Sequence, residues 1–445
     1  MQPIITVIGG GLAGSEAAWQ IARRGLQVRL FEMRPRQSTP AHVTDRLGEL
    51  VCSNSLKSDL PGTAPYLLKE ELRRLGSLLL QIADKTRIPA GHALAVDRER
   101  FSRDLTEKIL SNPQISLIRE EVHLLPDNGI TVIATGPLTS ETLSRSIASF
   151  AESENLHFYD AISPIVDSST LDLSKLFKAS RYGKGGEDYL NAPLSRGEYL
   201  AFHNALIHAE SVPLRSFENP VYFENCLPIE ELARRGIDTL RFGPMKPVGL
   251  IEPSSSRRPY AAVQLRLENL MADCYNMVGF QNHLKFPEQV RVFRMIPGLE
   301  RAEFLRLGQI HRNTYIQSPR LLNPNLQARK RPELFFAGQI CGVEGYVESI
   351  ATGLLAGINA SRLARGQEPS SPPPQTACGS LLQYIASADP EHFQPANISF
   401  GLLQEAFPEL RRRIRNRKER HHLQLEGALK SMDQWIESLD LEGAF

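Results

Sequence analysis

Apolar residues in the first part of the chain follow two alternating patterns, short β-branched runs and longer stretches with helical spacing. Residues 4–8 (IITVI) predict a buried strand, and residues 15–24 (SEAAWQIARR) predict a helix that Gly25 ends. Residues 27–32 (QVRLFE) predict a second strand. A strand, a helix and a strand in this order are typical of a parallel β-α-β unit.

Both patterns return later, on either side of a stretch in which they are mixed. Residues 180–300 show short strand and turn patterns without regular α/β alternation, and they predict an inserted domain. The other predicted elements are a polar loop at 38–63, a helix at 65–83, strands at 129–136 and 334–338, a helix at 347–365, a proline-rich crossing at 370–375 and a charged helical tail after 400.

The first predicted strand runs directly into a glycine motif. Gly9, Gly11 and Gly14 have the G-x-G-x-x-G spacing, and Glu32 ends the next predicted strand. In this motif the glycines allow a tight turn, close approach of the backbone to a pyrophosphate, and close packing of helix on strand, while the acidic residue binds ribose hydroxyls. The motif therefore predicts a dinucleotide site with the binding residues Gly9, Gly10, Gly11, Leu12, Ala13, Gly14 and Glu32.

Two further strand ends favour FAD over NAD as the dinucleotide. One strand closes on Ala134-Thr135-Gly136, and a late strand closes on residues 335–339 (FFAGQ) before a helix, which brings backbone and a helix N-terminus to a flavin. No second G-x-G-x-x-G occurs, so NAD(P)H is expected to bind transiently. We predict an α/β fold in which a Rossmann-like, glutathione-reductase-like FAD-binding domain (1–195 and 305–445, with a helical tail from about 400) is interrupted by a smaller α+β insertion domain (196–304).

Composition narrows the protein class and the compartment. A chain of 445 residues with 42% hydrophobic and 23% charged residues is globular rather than disordered or fibrous, and is long enough for two cores. No apolar run approaches the roughly 18 residues of a membrane span, and the N-terminus does not read as a signal peptide. Five cysteines without a C-x-x-C pair argue against a disulfide scaffold or a zinc site. We expect a cytoplasmic protein with reduced thiols, no metal and no membrane contact.

Two of the cysteines lie in polar surroundings that differ from those of the other three. Cys52 sits in ELVCSNSL, with His42 and Lys57 nearby in sequence, and Cys226 sits in YFENCLPIE, where Pro228 is placed to start a helix. A reactive thiolate needs a cation, a base or a helix N-terminus close by. Sequence spacing alone leaves both residues open between buried packing and catalysis.

Long and unusual segments between residue 4 and about residue 405 carry a resemblance to a known family. They include ELVCSNSLKSD (49–59), FENCLPIEELARRGIDTLRFGPMKPVGL (223–250) and LFFAGQICGVEGYVESIATGLLAGINA (334–360). Through these segments the chain resembles the folate/FAD-dependent tRNA (uracil-5-)-methyltransferases, the TrmFO family. A larger relative with a similar FAD domain is the GidA-type enzyme that modifies tRNA wobble uridines.

The resemblance implies methylation of carbon 5 of a uridine, at position 54 in the tRNA T-loop. The carbon would come from 5,10-methylenetetrahydrofolate, and the reducing equivalents from NAD(P)H through FAD. Such chemistry needs a thiolate that adds to carbon 6 of uracil and a base that removes the carbon-5 proton. Cys226 in the NCLP motif is then the nucleophile and Cys52 the base, although the motifs leave the two roles interchangeable.

The resemblance also implies residues on the flavin side and near the folate. Tyr346 is a candidate to stack near the isoalloxazine or the folate, and His283 and Arg291 are candidates to meet the pterin or its glutamate. Asn225, Cys341 and Asn282 replace the Gly, Thr and Thr that the family leads us to expect. The flavin-side motif supplies Gly338, Gln339, Gly342, Val343, Glu344, Gly345 and Tyr346.

Basic residues give candidate tRNA contacts although the net charge is only +1. Residues 411–422 (RRRIRNRKERHH) contain seven Arg or Lys and one Glu, which is typical of a helix that follows phosphates and also of a solvated helical face. The candidates are Arg411, Arg412, Arg413 and Arg415 in the tail and Arg181, Lys184, Arg241 and Lys246 in the mixed stretch.

Other functions remain open from the residues alone. They are a GidA-like flavin- and folate-dependent modification of a wobble uridine, a flavin oxidoreductase that does not act on RNA, and a non-catalytic flavin-containing RNA-binding protein. A dithiol oxidoreductase would need a close cysteine pair after the first helix, and the sequence has none there. The sequence also leaves the oligomeric state open.

Overall fold

The computed structural model describes residues 3–152, 156–183, 186–213, 227–403 and 414–439. Cys226, Lys184, Arg411, Arg412 and Arg413 lie outside the described residues. The strands are β1 (Ile5–Ile8), β2 (Val28–Phe31), β3 (Ser55–Ser58), β4 (Arg87–Ile88), β5 (Ala93–Val96), β6 (Ile115–Ile118), β7 (Thr131–Ile133), β8 (Leu156–Ala161), β9 (Ile165–Asp167), β10 (Phe177–Lys178), β11 (Tyr189–Leu194), β12 (Ala261–Leu267), β13 (Cys274–Met277), β14 (Phe304–Arg306), β15 (Ile310–Tyr315), β16 (Gln327–Ala328) and β17 (Arg331–Phe336).

The helices are distributed over the whole described chain. They are α1 (Leu12–Ala22), α2 (Ala64–Arg74), α3 (Leu78–Lys85), α4 (Arg98–Leu110), α5 (Glu141–Ala151), α6 (Arg196–Ile207), α7 (Ile229–Arg234), α8 (Thr239–Phe242), α9 (Phe286–Phe293), α10 (Ser318–Leu321), α11 (Tyr346–Ala364), α12 (Ala377–Ser387), α13 (Phe400–Leu403) and α14 (Arg417–Ser438). Within these described segments, none of the helices has both the length and the apolar character needed to cross a bilayer.

A parallel sheet organises the first core. Its strand order is β16-β17-β7-β1-β2-β6, and only the edge strand β16 runs antiparallel to its neighbour. Strands β1 and β7 are fully buried, as expected for strands covered on both faces. This architecture, together with the helices at the C-terminal end, confirms the predicted α/β fold with a Rossmann-like domain and a helical tail.

Helix α1 packs directly against α11, from the other end of the sequence. A Cβ on Gly353 would stand 2.6 Å from the Cα of Ala13, and one on Gly357 would stand 2.9 Å from the Cα of Ala17. The two glycines therefore allow the helix backbones to approach more closely than larger residues would. This contact holds the first and the last strand-helix units of the sheet together.

A second sheet has its own hydrophobic core. Its strands run in the order β10-β11-β12-β13-β9-β14 and pair antiparallel throughout. The buried apolar residues of this core extend from Val166 to Ala302. They include residues on both sides of position 196, and the division into domains at 195/196 and 304/305 stays a prediction.

Two predicted elements differ from the structure. The predicted loop at 38–63 contains β3, which pairs with β5 although its polar sequence shows no apolar alternation. The predicted helix at 65–83 is two helices, α2 and α3. Gly76 lies between them with φ +70°, a conformation that ends a helix, and the Ser77 hydroxyl then caps α3 by accepting the N–H of Leu80 at 3.3 Å.

Candidate active site

The turn between β1 and α1 has the geometry that the glycine spacing predicts. Gly9 adopts φ +106°, and a Cβ there would stand 2.7 Å from the carbonyl carbon of Ala134. A Cβ on Gly14 would stand 3.0 Å from the carbonyl carbon of Gly9. By contrast, no atom lies within 4 Å of the Cβ position of Gly11. The turn is therefore closed towards the protein and open at Gly11, where α1 begins.

Glu32, at the end of β2, is tied to this turn. Its Oε2 accepts the N–H of Gly10 at 2.9 Å, and its Oε1 accepts the Nε of Arg34 at 3.0 Å. Burial alone would raise the pKa of Glu32, but the hydrogen bonds and charge of Arg34 and the Gly10 N–H outweigh it and lower the pKa. The carboxylate is therefore held ionised at the edge of the sheet.

A cavity of about 1010 Å³ lies at the carboxyl ends of the parallel strands. Such an edge is the usual ligand position in this kind of sheet. The volume of this cavity includes space that is open to solvent. The predicted residues that line it are Gly9, Gly11, Leu12, Ala13, Glu32, Gly338, Gln339 and Tyr346.

The flavin-side motif forms the far wall of the cavity where α11 begins. Tyr346 is the first residue of α11, and its phenolic oxygen accepts the N–H groups of Cys52 at 2.8 Å and of Ser53 at 3.1 Å. Burial raises the pKa of Tyr346 well above its usual value, so the phenol stays neutral. The structure thus places the backbone of Cys52 directly against the end of the dinucleotide cavity.

An arginine connects the Cys52 loop to the second sheet. Arg98 donates to the carbonyl of Leu50, and its Nε pairs with Oε2 of Glu268 at 2.8 Å. Burial alone would lower the pKa of Arg98. The negative charge of Glu268 and, more weakly, that of Cys52 outweigh this effect, so the pKa of Arg98 is raised. Glu268 therefore neutralises one positive charge near the thiol.

Two further buried arginines interact electrostatically with Cys52. Burial is the main cause that lowers the pKa of Arg266 and Arg306, and Cys52 acts in the opposite direction on both. The Nε of Arg266 is buried and has no hydrogen-bond partner among the residues that the structure describes. Glu268 acts on Arg98 and Arg266, and Glu49 acts on Arg306, so two carboxylates face these three guanidiniums.

The other predicted cofactor residues stand behind the cavity wall. Gly342 has φ +84°, and a Cβ there would stand 2.8 Å from the Phe393 ring, while Val343 is fully buried. Cys341, which replaces an expected Thr, is also fully buried, and its thiol donates to the carbonyl of Gly338 at 3.0 Å. Burial raises the pKa of Cys341 to about 12, so its thiol stays neutral.

The two folate candidates lie in different environments. His283 is buried, and its Nε2 has no hydrogen-bond partner among the described residues; burial lowers the pKa of His283. Arg291 is half exposed and pairs with Glu288 at 2.7 Å on the same helix. Neither residue lines the cavity. Asn282, another departure from the family pattern, is buried and accepts the N–H of Leu284 at 3.2 Å.

The described RNA candidates lie outside the cavity. Arg415 is exposed just before α14. Arg181 donates to the carbonyl of Pro244 at 3.4 Å, Arg241 pairs with Asp238 at 2.6 Å, and Lys246 lies over the Tyr182 ring. Residues 181 and 182 thus contact residues 244 and 246, while Arg241 is held by Asp238.

Sequence reasoning missed much of the cavity wall. Arg34 pairs with both Glu32 and Glu49, and Thr39 Oγ1 lies 2.6 Å from His42 Nδ1. Burial is the main cause that lowers the pKa of His42 to about 4, so its ring is neutral. The run MRPRQSTPAH after β2 was a usable signal, because charged residues directly after a parallel strand point to its ligand-binding edge.

Comparisons with known proteins agree with this geometry. The profile of the family described as Glucose inhibited division protein A matches residues 4–368. The chain is 59% identical over 433 residues to the methylenetetrahydrofolate–tRNA-(uracil-5-)-methyltransferase TrmFO of Koribacter versatilis, covering 97% of this chain and 98% of that protein. It is 55% identical over 445 residues to the protein of the same name from Moorella thermoacetica, with both chains covered completely. The form II crystal structure of Aquifex aeolicus GidA has a similar fold, with a TM-score of 0.70 at 17% identity over 100% of this chain and 74% of that chain.

Proposed function

This chain belongs to the Glucose inhibited division protein A family and, within it, to the methylenetetrahydrofolate–tRNA-(uracil-5-)-methyltransferases TrmFO, and from this membership we propose that it methylates carbon 5 of a tRNA uridine. The carbon donor is 5,10-methylenetetrahydrofolate, the bound cofactor is FAD, and the reductant is NAD(P)H. The target is the uridine at position 54 in the T-loop. If the chain modified a wobble uridine instead, its activity would be of the GidA type.

The cavity fits FAD in both shape and chemistry. Gly11 leaves open space where α1 begins, so the N–H groups of the first turn can face a pyrophosphate. Glu32 is ionised and lines the cavity, as an acceptor for ribose hydroxyls must be. Gln339 and Tyr346 line the opposite end, where the flavin ring belongs. FAD, when bound, passes reducing equivalents from NAD(P)H to the reacting carbon.

The thiols supply the covalent and proton-transfer steps. The Cys226 thiolate adds to carbon 6 of uracil, which makes carbon 5 nucleophilic towards the methylene carbon of the folate. Cys52 accepts the carbon-5 proton. Loss of the carbon-5 proton expels tetrahydrofolate, because the bond between its nitrogen and the methylene carbon breaks, and an exocyclic methylene group is left on carbon 5. That methylene group takes up a hydride equivalent supplied by NAD(P)H, and the Cys226 thiolate leaves as the ring double bond reforms. In the competing assignment, Cys52 is the nucleophile and Cys226 is the base.

The arginines beside Cys52 hold a negatively charged part of a substrate. The guanidiniums of Arg98, Arg266 and Arg306 exceed the two carboxylates that act on them, Glu268 and Glu49, by one positive charge. The orphaned Nε of Arg266 is a hydrogen-bond donor that a phosphate or carboxylate oxygen satisfies. These groups thereby orient a substrate next to Cys52.

The observation that carries the proposal is the placement of Cys52 against Tyr346 at the end of the dinucleotide cavity. The test is methylation of an unmodified tRNA transcript by the purified flavoprotein with labelled methylenetetrahydrofolate and NAD(P)H. We expect folate-derived carbon in 5-methyluridine at position 54. Absence of that carbon from uridine would overturn the proposal, and label at a wobble uridine would favour the GidA-type activity.

A second experiment assigns the thiols. Tested with RNA containing 5-fluorouridine, the Cys52→Ala variant should retain a covalent adduct that Cys226→Ala lacks. Cys274→Ala is the matched control, because Cys274 is also partly exposed but lies in β13 of the second sheet. An adduct that survives Cys226→Ala and disappears in Cys52→Ala would exchange the two roles.

The cytoplasm is the compartment that we propose. The proposed substrates are tRNA, a reduced folate and a nicotinamide nucleotide, and the proposed chemistry needs thiols that stay reduced. Fractionation of cells that carry a tagged protein tests this placement.

A further inference from the structure

Exposed apolar side chains gather around α8 beside basic residues. Phe242, the last residue of α8, is 83% exposed, Ile251 is 60% exposed and Tyr182 is 53% exposed. Single exposed apolar residues are common, but a group of them beside basic residues is typical of an interaction site. We call the following set the α8 face: Arg181, Tyr182, Arg241, Phe242, Lys246 and Ile251.

Contacts between separate segments join residues 181 and 182 to the residues that follow α8. The N–H of Tyr182 donates to the carbonyl of Gly249 at 2.8 Å, and Arg181 donates to the carbonyl of Pro244 at 3.4 Å. The Nζ of Lys246 lies 5.8 Å from the centre of the Tyr182 ring. The turn at residues 181–183 is therefore fastened to residues 244–249, which directly follow α8.

The α8 face carries positive charge that its own carboxylates do not cancel. Arg241 is neutralised by Asp238 and stacks on the Tyr260 ring at 3.7 Å, so its position is fixed. Neither Arg181 nor Lys246 has a carboxylate partner among the described residues. Burial lowers the pKa of Arg181, and Tyr182 and Tyr189, rather than a carboxylate, act against it. A half-buried guanidinium whose Nε has no hydrogen-bond partner among the described residues is suited to a negatively charged partner.

Aromatic rings between cations fit single-stranded RNA better than they fit a protein. Unpaired bases stack on aromatic rings, while the phosphates on either side meet Lys and Arg. The centres of protein interfaces, by contrast, are depleted of lysine. In the sequence, Cys226, the proposed nucleophile, precedes α7 and α8.

We propose that the α8 face docks the tRNA substrate, with the Phe242 ring stacked on an unpaired base and with Lys246 and Arg181 on neighbouring phosphates. The inference rests on the proposed function and adds the docking surface to it. An enzyme that acts on carbon 5 of a stacked uridine must first take bases out of the stack, which costs free energy. An exposed ring recovers part of that cost by giving a released base a new stacking partner.

The test compares Phe242→Ala with Met271→Ala in the purified flavoprotein. Met271 is 84% exposed but lies between β12 and β13, outside the α8 face, so its variant controls for loss of a large exposed apolar side chain. We expect Phe242→Ala to raise the KM for tRNA about 10-fold, the size of effect typical of one lost base stack. Met271→Ala should leave the KM unchanged, and Phe242→Trp should restore it. Oxidation of NAD(P)H without tRNA should be the same in all variants.

Lys246→Gln tests the phosphate contact separately. Loss of one phosphate contact should reduce the slope of log Kd against log salt concentration by about one unit. An unchanged salt slope overturns the assignment of Lys246.

Other outcomes separate the docking surface from the function itself. If Phe242→Ala and Met271→Ala have equal KM values for tRNA, the docking proposal fails while the proposed function stands. A change of oligomeric state in Phe242→Ala with unchanged tRNA affinity also overturns it, in favour of contact with a second copy. A wild-type protein that neither binds nor methylates tRNA overturns the proposed function together with the docking surface.

Discussion

The phenolic oxygen of Tyr346 accepts the backbone N–H of Cys52 at 2.8 Å, although 294 residues separate the two in sequence. The same oxygen accepts the N–H of Ser53 at 3.1 Å. One hydroxyl group therefore fixes the loop that carries a proposed catalytic thiol to the first residue of α11. The position of Cys52 relative to the bound flavin depends on this contact.

We expect Tyr346→Phe to keep FAD but lose methylation activity. The ring remains in the cavity wall, while two backbone N–H groups lose their acceptor, at a cost of about 1–3 kcal/mol for each group left unsatisfied. The kcat for tRNA methylation should fall about 10-fold or more, with an unchanged flavin content per protein. Tyr384→Phe is the control, since its hydroxyl donates to the carbonyl of Gln394 on the surface. Equal kcat values for the two variants would contradict the role of the Tyr346 oxygen.

Glu32→Gln should weaken FAD binding. The substitution keeps the shape but removes the charge that the Gly10 N–H and Arg34 stabilise. A ribose hydroxyl then loses a charged acceptor, which is worth about 1.5–3 kcal/mol. Flavin release during dialysis, followed by absorbance, should rise accordingly, while Glu288→Gln in α9, outside the cavity lining, should release no more flavin than the wild type. Equal retention by all three proteins would count against Glu32 as a cofactor ligand.

Gly353→Ala should destabilise the protein, whereas Gly197→Ala should not. A Cβ at position 353 meets the backbone of Ala13, which cannot rotate away, so α1 and α11 must separate at a cost of about 1–3 kcal/mol. Gly197 lies in α6 with nothing near its Cβ position, and alanine there should stabilise the helix by up to about 1 kcal/mol. Thermal unfolding of both variants measures the difference, and a stability order opposite to this one would refute the close helix contact.

The share of the stability that depends on Glu71 should fall as the pH rises from about 4.5 to about 7. Burial raises the pKa of Glu71 from 4.5 to about 7, although the N–H groups of Ala377 and Cys378 donate to it. In this pH range the folded state holds a proton on Glu71 that the unfolded state has released, so this share of the free energy of unfolding falls by about 1.4 kcal/mol per pH unit. Glu230, whose pKa burial also raises to about 7, contributes with the same sign. His42, whose pKa burial lowers to about 4, contributes with the opposite sign below about pH 6.5, because its unfolded form holds a proton that the folded form lacks.

Glu71→Gln should remove its share of that slope. Urea unfolding at pH 5, 6, 7 and 8 measures the slope in the wild type and in the variant, with Glu288→Gln as a control because the pKa of Glu288 is lowered rather than raised. The wild-type and control curves should have the same slope from pH 5 to 7, while the stability of Glu71→Gln relative to the wild type should rise by about 1.4 kcal/mol per pH unit. Equal slopes in Glu71→Gln and the wild type would show that Glu71 is ionised in the folded state.

Local motifs were predictable because neighbouring residues alone determine them. The turn at Gly9, Gly11 and Gly14 requires particular backbone conformations within six residues, so its spacing identifies it. The break at Gly76 was missed, because the apolar spacing of α2 continues in phase into α3 and masks the left-handed residue between them.

The electrostatics around Cys52 could not be predicted in the same way. Arg98, Arg266 and Arg306 come from three distant parts of the chain, and only the packing of the second sheet against the first brings them to one thiol. An arginine in a strand such as β12 has no local sign that it is buried and uncompensated. Family resemblance identified the cysteines but not the charges around them.

The contact between Cys52 and Tyr346 also sets the order of events during protein synthesis. A ribosome adds about 5–20 residues per second, so Tyr346 is made some tens of seconds after Cys52. Throughout that interval α1 has no α11 to cover it, and the cavity lacks its far wall. The nascent chain therefore cannot capture its dinucleotide early, and the holoenzyme forms only when the last quarter of the polypeptide has left the ribosome.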